Sequence, residues 1–130
     1  MKIAIVVQGG PYSHEASLSA LHFAKATLDA GHEIYRVFFY NDGVYNASDL
    51  IAPPQDETDI RGEWTRLSDL HDVELITCIA SSLRRGLLNE TESERYEKSA
   101  ANLNPAFEIS GLGQLIDAGL SADRTVTFAA

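Results

Sequence analysis

Apolar positions along the chain alternate between strand-length runs and helical spacing. Ile3 to Gln8 is a nearly continuous apolar run, the pattern of a central parallel strand covered on both faces. The Gly9-Gly10-Pro11 turn ends it, and Ser13 is placed to cap a helix that has Glu15 in its first turn. Ala20, Leu21, Ala24 and Leu28 then recur at helical spacing up to Gly31, which stands where a left-handed residue closes a helix. Glu33 to Tyr40, with Ile34, Val37, Phe38 and Phe39, predicts the second strand.

Asn41-Asp42-Gly43 opens a loop rich in turn residues that runs to Gln55. Its length points to contact with a partner, and Val44, Tyr45, Leu50 and Ile51 on it predict apolar surface that an oligomer would cover. A helix is expected from about Asp56, with Ile60, Trp64, Leu67 and Leu70 on one stripe, followed by a strand over Val73 to Ile79. A helical stretch interrupted near Gly86 covers Ser81 to Ala101. Ser110 to Leu120 predicts a last helix with Leu112, Leu115 and Ile116 facing inward, and Arg124 to Phe128 a closing strand.

Strands separated by helices imply right-handed crossovers, and so an α/β three-layer sandwich with a mainly parallel sheet and helices on both faces. The 130 residues fit a single domain over 1–130, with no internal repeat and no low-complexity tract. Sheets of this kind hold ligands and reactive groups beyond the carboxyl ends of their strands. That edge gathers three segments: Gln8 to Tyr12, Tyr40 to Asn46, and Cys78 to Ser82.

Composition narrows the function. The chain is 45% hydrophobic and 22% charged, ordinary for a soluble protein. No apolar stretch is long enough to span a bilayer, and Met1-Lys2 leads into a strand instead of a secretory signal, so a cytoplasmic protein is expected. A net charge of −9 repels phosphate backbones and argues against direct nucleic-acid binding. The same acidity serves solubility or the docking of a basic partner. With one cysteine, no intrachain disulfide can form.

That cysteine, Cys78, falls near the end of the third strand, just before a helix start at Ser81-Ser82. A helix N-terminus and the nearby Arg84 and Arg85 favour a thiolate, the form that attacks sulfur and carries it. A small buried hydrophobe is the other reading, and position alone admits both. Arg84-Arg85 is the only adjacent basic pair; it suits an anionic sulfur species or an acidic partner, or else a solvated helix face beside Glu90, Glu92 and Glu94. His14, in the loop after the first strand, is a candidate base for Cys78 across the sheet edge, or a surface or capping histidine.

Other chemistries find less support. Gly9-Gly10 lacks the spacing of a phosphate loop, and Pro11 removes one backbone donor, so a tight turn accounts for it. His14, His22, His32 and His71 fall into no ligand spacing, which excludes a recognisable zinc site. No carboxylate pair sits in an apolar context, and Gly111-Leu112-Gly113 offers no nucleophile elbow. Tyr40 and Tyr45 at the loop fit strand packing or a partner interface.

Several segments together resemble the DsrE family. They are Val37-Phe38-Phe39-Tyr40 through Asp42-Gly43-Val44 to Asn46, Cys78-Ile79-Ala80 to Arg84-Arg85-Gly86, Ser110-Gly111-Leu112-Gly113-Gln114-Leu115, and Ala122-Asp123-Arg124. The resemblance covers essentially the whole chain in register. It implies a flavodoxin-like DsrE sandwich and a sulfurtransferase in which Cys78 carries sulfur as a persulfide, with no cofactor and no metal. It also implies a heterohexamer with two related subunits, a small upstream sulfur carrier as donor, and a downstream acceptor with a cysteine near its C-terminus. The relay would serve tRNA 2-thiouridine synthesis or dissimilatory sulfur oxidation; Pro53-Pro54-Gln55-Asp56 and Phe107-Glu108-Ile109-Ser110 lie nearer the second branch. Two alternatives stay open: a non-catalytic structural subunit of such a complex, and a nucleotide- or flavin-binding domain, which the fold permits.

Overall fold

Period-two alternation along the strands divides the side chains between two unequal layers. A computed structural model describes residues 1–130. It contains β1 (Lys2–Val7), α1 (Ala16–Asp29), β2 (Glu33–Phe39), a 3₁₀ segment (Asn41–Ala47), α2 (Ile60–His71), β3 (Leu75–Cys78), α3 (Ile79–Arg84), α4 (Glu90–Arg95), β4 (Phe107–Ser110), α5 (Gly113–Ser121) and β5 (Arg124–Phe128). The five strands form one sheet in the order β4-β3-β2-β1-β5, and every pairing is parallel. No helix is long and apolar enough to cross a membrane.

Ile3, Ile5 and Val7 of β1, Val37 and Phe39 of β2, Leu75 of β3 and Phe107 of β4 join α1 and α2 in a core of 18 buried residues. Trp64 anchors it, edge-on to Phe39 with ring centroids 5.4 Å apart. On the opposite face only Phe38, Ile76 and Cys78 form a buried cluster, against Tyr40 and Leu115. That face carries one helix, α5, so its hold on the sheet cannot come from apolar burial alone.

Arg36 supplies the rest. It is buried in mid-β2, and its Nε donates to Glu74 at 2.8 Å while its guanidinium donates to the Gln114 carbonyl at 2.7 Å and to Asp117 at 2.9 Å. Tyr35 also donates to Asp117 at 2.7 Å, and its ring lies 5.0 Å from the Arg36 guanidinium. Burial works against the Arg36 charge, but the bonds from Glu74 and Asp117 outweigh it and hold the pKa above the ordinary arginine value. The Tyr35 hydroxyl, then Arg36, hold the Asp117 carboxyl below the usual carboxylate range.

Several sequence expectations change. A fifth strand, β4, occupies Phe107–Ser110, so the last helix starts at Gly113 and not at Ser110. Leu112 and Ile116 are exposed, leaving Leu115 to pack inward. Successive helical residues lie 100° apart, so 115 and 116 cannot share a face, and the Arg36 bonds to Gln114 and Asp117 set which side turns in. Leu70 is likewise exposed. Ser13 caps nothing: α1 begins at Ala16, and Ser17 instead donates to the Gly9 carbonyl at 2.7 Å. Asp59, accepting from the Gly62 amide, delays α2 to Ile60. Val73 lies before β3, and the strand ends at Cys78.

The stretch from Ser81 to Ala101 holds two six-residue helices, the first starting earlier than expected at Ile79 and the second ending at Arg95. In the loop, Asn41–Ala47 winds into a 3₁₀ segment, and Val44 is fully buried instead of exposed. Gly31 does take the left-handed conformation, with φ 86°. Gly43 is required for another reason: a Cβ there would overlap the Val7 carbonyl at the end of β1.

Because the Asp117 pKa is lowered on folding, its contribution is present above the unfolded value of about 3.9 and is lost as pH falls through the folded one. Asp117→Asn should therefore unfold at lower urea than wild type at pH 7, with the two midpoints converging once the pH falls below the lowered folded-state pKa. A deficit of the same size at both pH values would refute this linkage. Arg36→Ala should cost about 2 kcal/mol in the same assay, since its half-exposed partners can be solvated once it is gone.

Candidate functional site

The carboxyl edge of the sheet is built by three chain reversals that brace one another. After β1 the chain folds back through Gly9 to Glu15. Tyr12, at φ 70°, donates its hydroxyl to the Thr58 carbonyl at 2.7 Å and accepts from the Ile60 amide at 3.1 Å, which ties this loop to the start of α2. After β2 the 3₁₀ segment turns over the end of β1, with the Tyr40 amide donating to the Val7 carbonyl at 2.9 Å. Asn46, fully buried beneath it, donates to Ser17 at 2.9 Å and to the Gly43 carbonyl at 2.8 Å. After β3 the chain passes directly into α3, and Ser81 accepts from the Asn41 amide at 3.1 Å.

Cys78 stands at this last junction. It closes β3 opposite Ser110 of β4 and is the N-cap residue of α3, in extended conformation. The residue is 3% exposed, and its neighbours in the small cluster are Phe38, Ile76, Tyr40 and Leu115. Tyr40, at the end of β2, and Leu115, on the inward stripe of α5, pack against this cluster and form its cover.

The other sequence candidates are dispersed. Arg85 is half-buried; its Nε donates to Asp42 at 2.8 Å and its guanidinium to the Ser81 carbonyl at 3.2 Å, so it joins the 3₁₀ segment to α3. Arg84, next in sequence, is exposed and lines a groove with Leu88 and Lys98. His14 is exposed at the β1 edge, in a recess with Tyr12, Asp42 and Tyr45. β2 lies between β1 and β3, which separates the two strand ends by roughly 10 Å. His14 makes no hydrogen bond to the thiol, and no group of three or more His, Cys, Asp or Glu side chains could hold a metal ion.

Sequence reasoning missed Leu115 as a cover of Cys78, Ser81 and Asp42 as braces of the edge, and Arg36 as the anchor of α5. Only Arg36 left a signal: a charge in the middle of Ile34-Tyr35-Arg36-Val37, a run otherwise suited to burial.

Chemically, the site offers one shielded thiol at a strand-to-helix junction, with rigid backbone on both sides and an apolar cover on one. Comparison with known proteins is consistent along the full length. The DsrE protein of Allochromatium vinosum is 49% identical over 128 residues, covering 98% of each chain. The sulfurtransferase TusD of Salmonella dublin is 48% identical over 128 residues, covering 98% of this chain and 100% of that one. The crystal structure of the ychN protein from E. coli superimposes with a TM-score of 0.80 at 26% identity, covering 98% of this chain and 99% of that one. With residues 1–128 matching the family model and relatives near half identity over their whole lengths, this chain belongs to the DsrE/DsrF-like family.

Proposed function

We propose that this protein accepts sulfur as a persulfide on Cys78 and passes it to a cysteine of a downstream carrier. The observation that carries the reading is the place of the only cysteine, at the carboxyl end of a central strand in a chain whose near relatives are named sulfurtransferases. In the first step the Cys78 thiolate attacks the outer sulfur of a donor persulfide. An S–S bond forms at Cys78 Sγ, the donor's S–S bond breaks, and the donor leaves as a thiolate. In the second, the acceptor thiolate attacks that same sulfur and Cys78 leaves as thiolate. No net oxidation occurs and no cofactor takes part.

On this reading the protein works in the cytoplasm within an assembly of related subunits, two copies each of three. A small carrier upstream supplies the sulfur, and an acceptor with a cysteine near its C-terminus receives it. Near-equal identity to DsrE and TusD supports sulfur oxidation and tRNA thiolation alike as the pathway. Arg85 braces α3 against the 3₁₀ segment and so positions Cys78; its charge is already paired with Asp42.

Burial of Cys78 shapes the mechanism. Shielding protects a persulfide from oxidation up the irreversible ladder, but it also means that exchange waits on opening of the Tyr40–Leu115 cover. The same burial favours a second reading, in which Cys78 is structural and a sister subunit carries the sulfur.

Incubation with a small-molecule persulfide donor should add the mass of one sulfur, removable by reductant, to wild type and not to Cys78→Ser. Equal labelling of the variant, or none of wild type, would leave only the second reading. Leu115→Ala should speed alkylation of Cys78 by up to roughly tenfold, with the circular dichroism spectrum unchanged, because the cover opens more easily. An unaltered alkylation rate would show that the thiol is reached by another route.

A further inference from the structure

A broad groove of about 780 Å³ lies between the loop after the 3₁₀ segment, the last turn of α3 and the chain that follows α4. Leu50, Leu83 and Leu88 supply aliphatic surface, with Tyr96 beside them; Leu50 is 76% exposed and Tyr96 51%. Large apolar side chains grouped in one open groove are the pattern of a contact surface. The groove is also preformed. The Leu88 amide donates to Asn102 Oδ1 at 2.9 Å, Asn102 Nδ2 donates to the Gly86 carbonyl at 2.8 Å, and Ser93 donates to the Ala100 carbonyl at 2.9 Å. The Asp49 amide donates to the Asn102 carbonyl at 2.7 Å, fixing the opposite wall.

Charge identifies the occupant. On a chain of net charge −9, the groove is lined by two cations, Arg84 and Lys98, and by no carboxylate. Both cations are exposed and neither makes an ion pair. Asp49 and Glu97 adjoin the groove in sequence without lining it, and Asp49 is engaged by Asn104 and Arg61. Two isolated cations among aliphatic walls do not make the basic track that a nucleic acid needs. They suit a peptide whose apolar anchors are flanked by carboxylates.

We propose that this groove seats an extended acidic-apolar segment of a partner protein, with aliphatic anchors against Leu50, Leu88 and Tyr96 and carboxylates facing Arg84 and Lys98. The proposal deepens the sulfur-relay reading and rests on it for the identity of the partner, the protein that exchanges sulfur with Cys78. Cys78 opens α3 and Arg84 ends it, a rise of about 9 Å. An extended chain covers that in roughly three to five residues, so the partner's reactive cysteine should lie that far from its anchor. Docking here would hold the cysteine near the start of α3, where Cys78 stands, and raise its effective concentration there.

A fluorescent peptide with Leu flanked by Glu, and Ser at the cysteine position, tests docking apart from sulfur chemistry. Its anisotropy should rise on titration with the full chain, equally for wild type and Cys78→Ser, and more at low salt than at high. Reversing both cations in an Arg84→Glu, Lys98→Glu variant should weaken binding by roughly tenfold or more, and a Lys-flanked peptide should recover it on that variant. Equal binding of Glu- and Lys-flanked peptides to wild type, or no binding of either, would overturn the groove proposal even if Cys78 takes up sulfur. Peptide binding without sulfur uptake at Cys78 would instead sustain the groove and remove the persulfide reading.

Discussion

One buried guanidinium holds the second layer of this protein in place. The sheet has a deep apolar core on the α1 and α2 side and only a thin cluster on the other, where α5 is the only helix. A nine-residue helix with one buried side chain, Ala118, cannot fix its own rotation by packing. Arg36 does so by bonding a backbone carbonyl and a carboxylate one turn apart on α5, Gln114 and Asp117, while Glu74 holds its other edge. With α5 set in that rotation, Leu115 turns toward the Phe38–Ile76–Cys78 cluster, and Leu112, Ile116 and Leu120 turn outward.

The cover of the thiol is thus an indirect product of an ion cluster further back along the sheet. Apolar burial by itself would have been satisfied by either stripe of α5, since both are aliphatic. Directional bonds choose between them, and the choice decides which side chain packs on the cluster that holds Cys78. A shielded thiol and a permanently open one pose different problems for sulfur exchange. The first resists oxidation and needs a partner able to displace its cover; the second needs no partner but has no protection.

Bracing at the carboxyl edge complements this arrangement. Tyr12, Gly43, Ser81, Asp42 and Arg85 join the reversals after β1, β2 and β3, so the backbone on both sides of Cys78 has little freedom to shift. These bonds fix the backbone from which the Cys78 side chain projects.

The α/β sandwich and its parallel sheet were legible in the sequence because strand-length apolar runs and helical spacing are local signals. So was the placement of Cys78 at a strand end, since strand order needs only the alternation and the crossover rule to put that end at a shared edge. β4 escaped because Phe107-Glu108-Ile109-Ser110 is too short a run for its alternation to stand out, and Ser110 reads equally as the start of the helix that follows. The rotation of α5 left only the lone charge of Arg36 as a trace, and the burial of Val44, the pairing of Arg85 with Asp42 and the separation of His14 from Cys78 had no local signal. Each depends on residues far apart in the chain, Arg36 and Asp117 most of all, whose distance becomes 2.9 Å only when β2 and α5 stack. Sequence by itself determined most of the strands and helices and where the only cysteine sits along them. Tertiary structure alone decided which faces meet, because that depends on directional bonds between distant residues and not on periodicity.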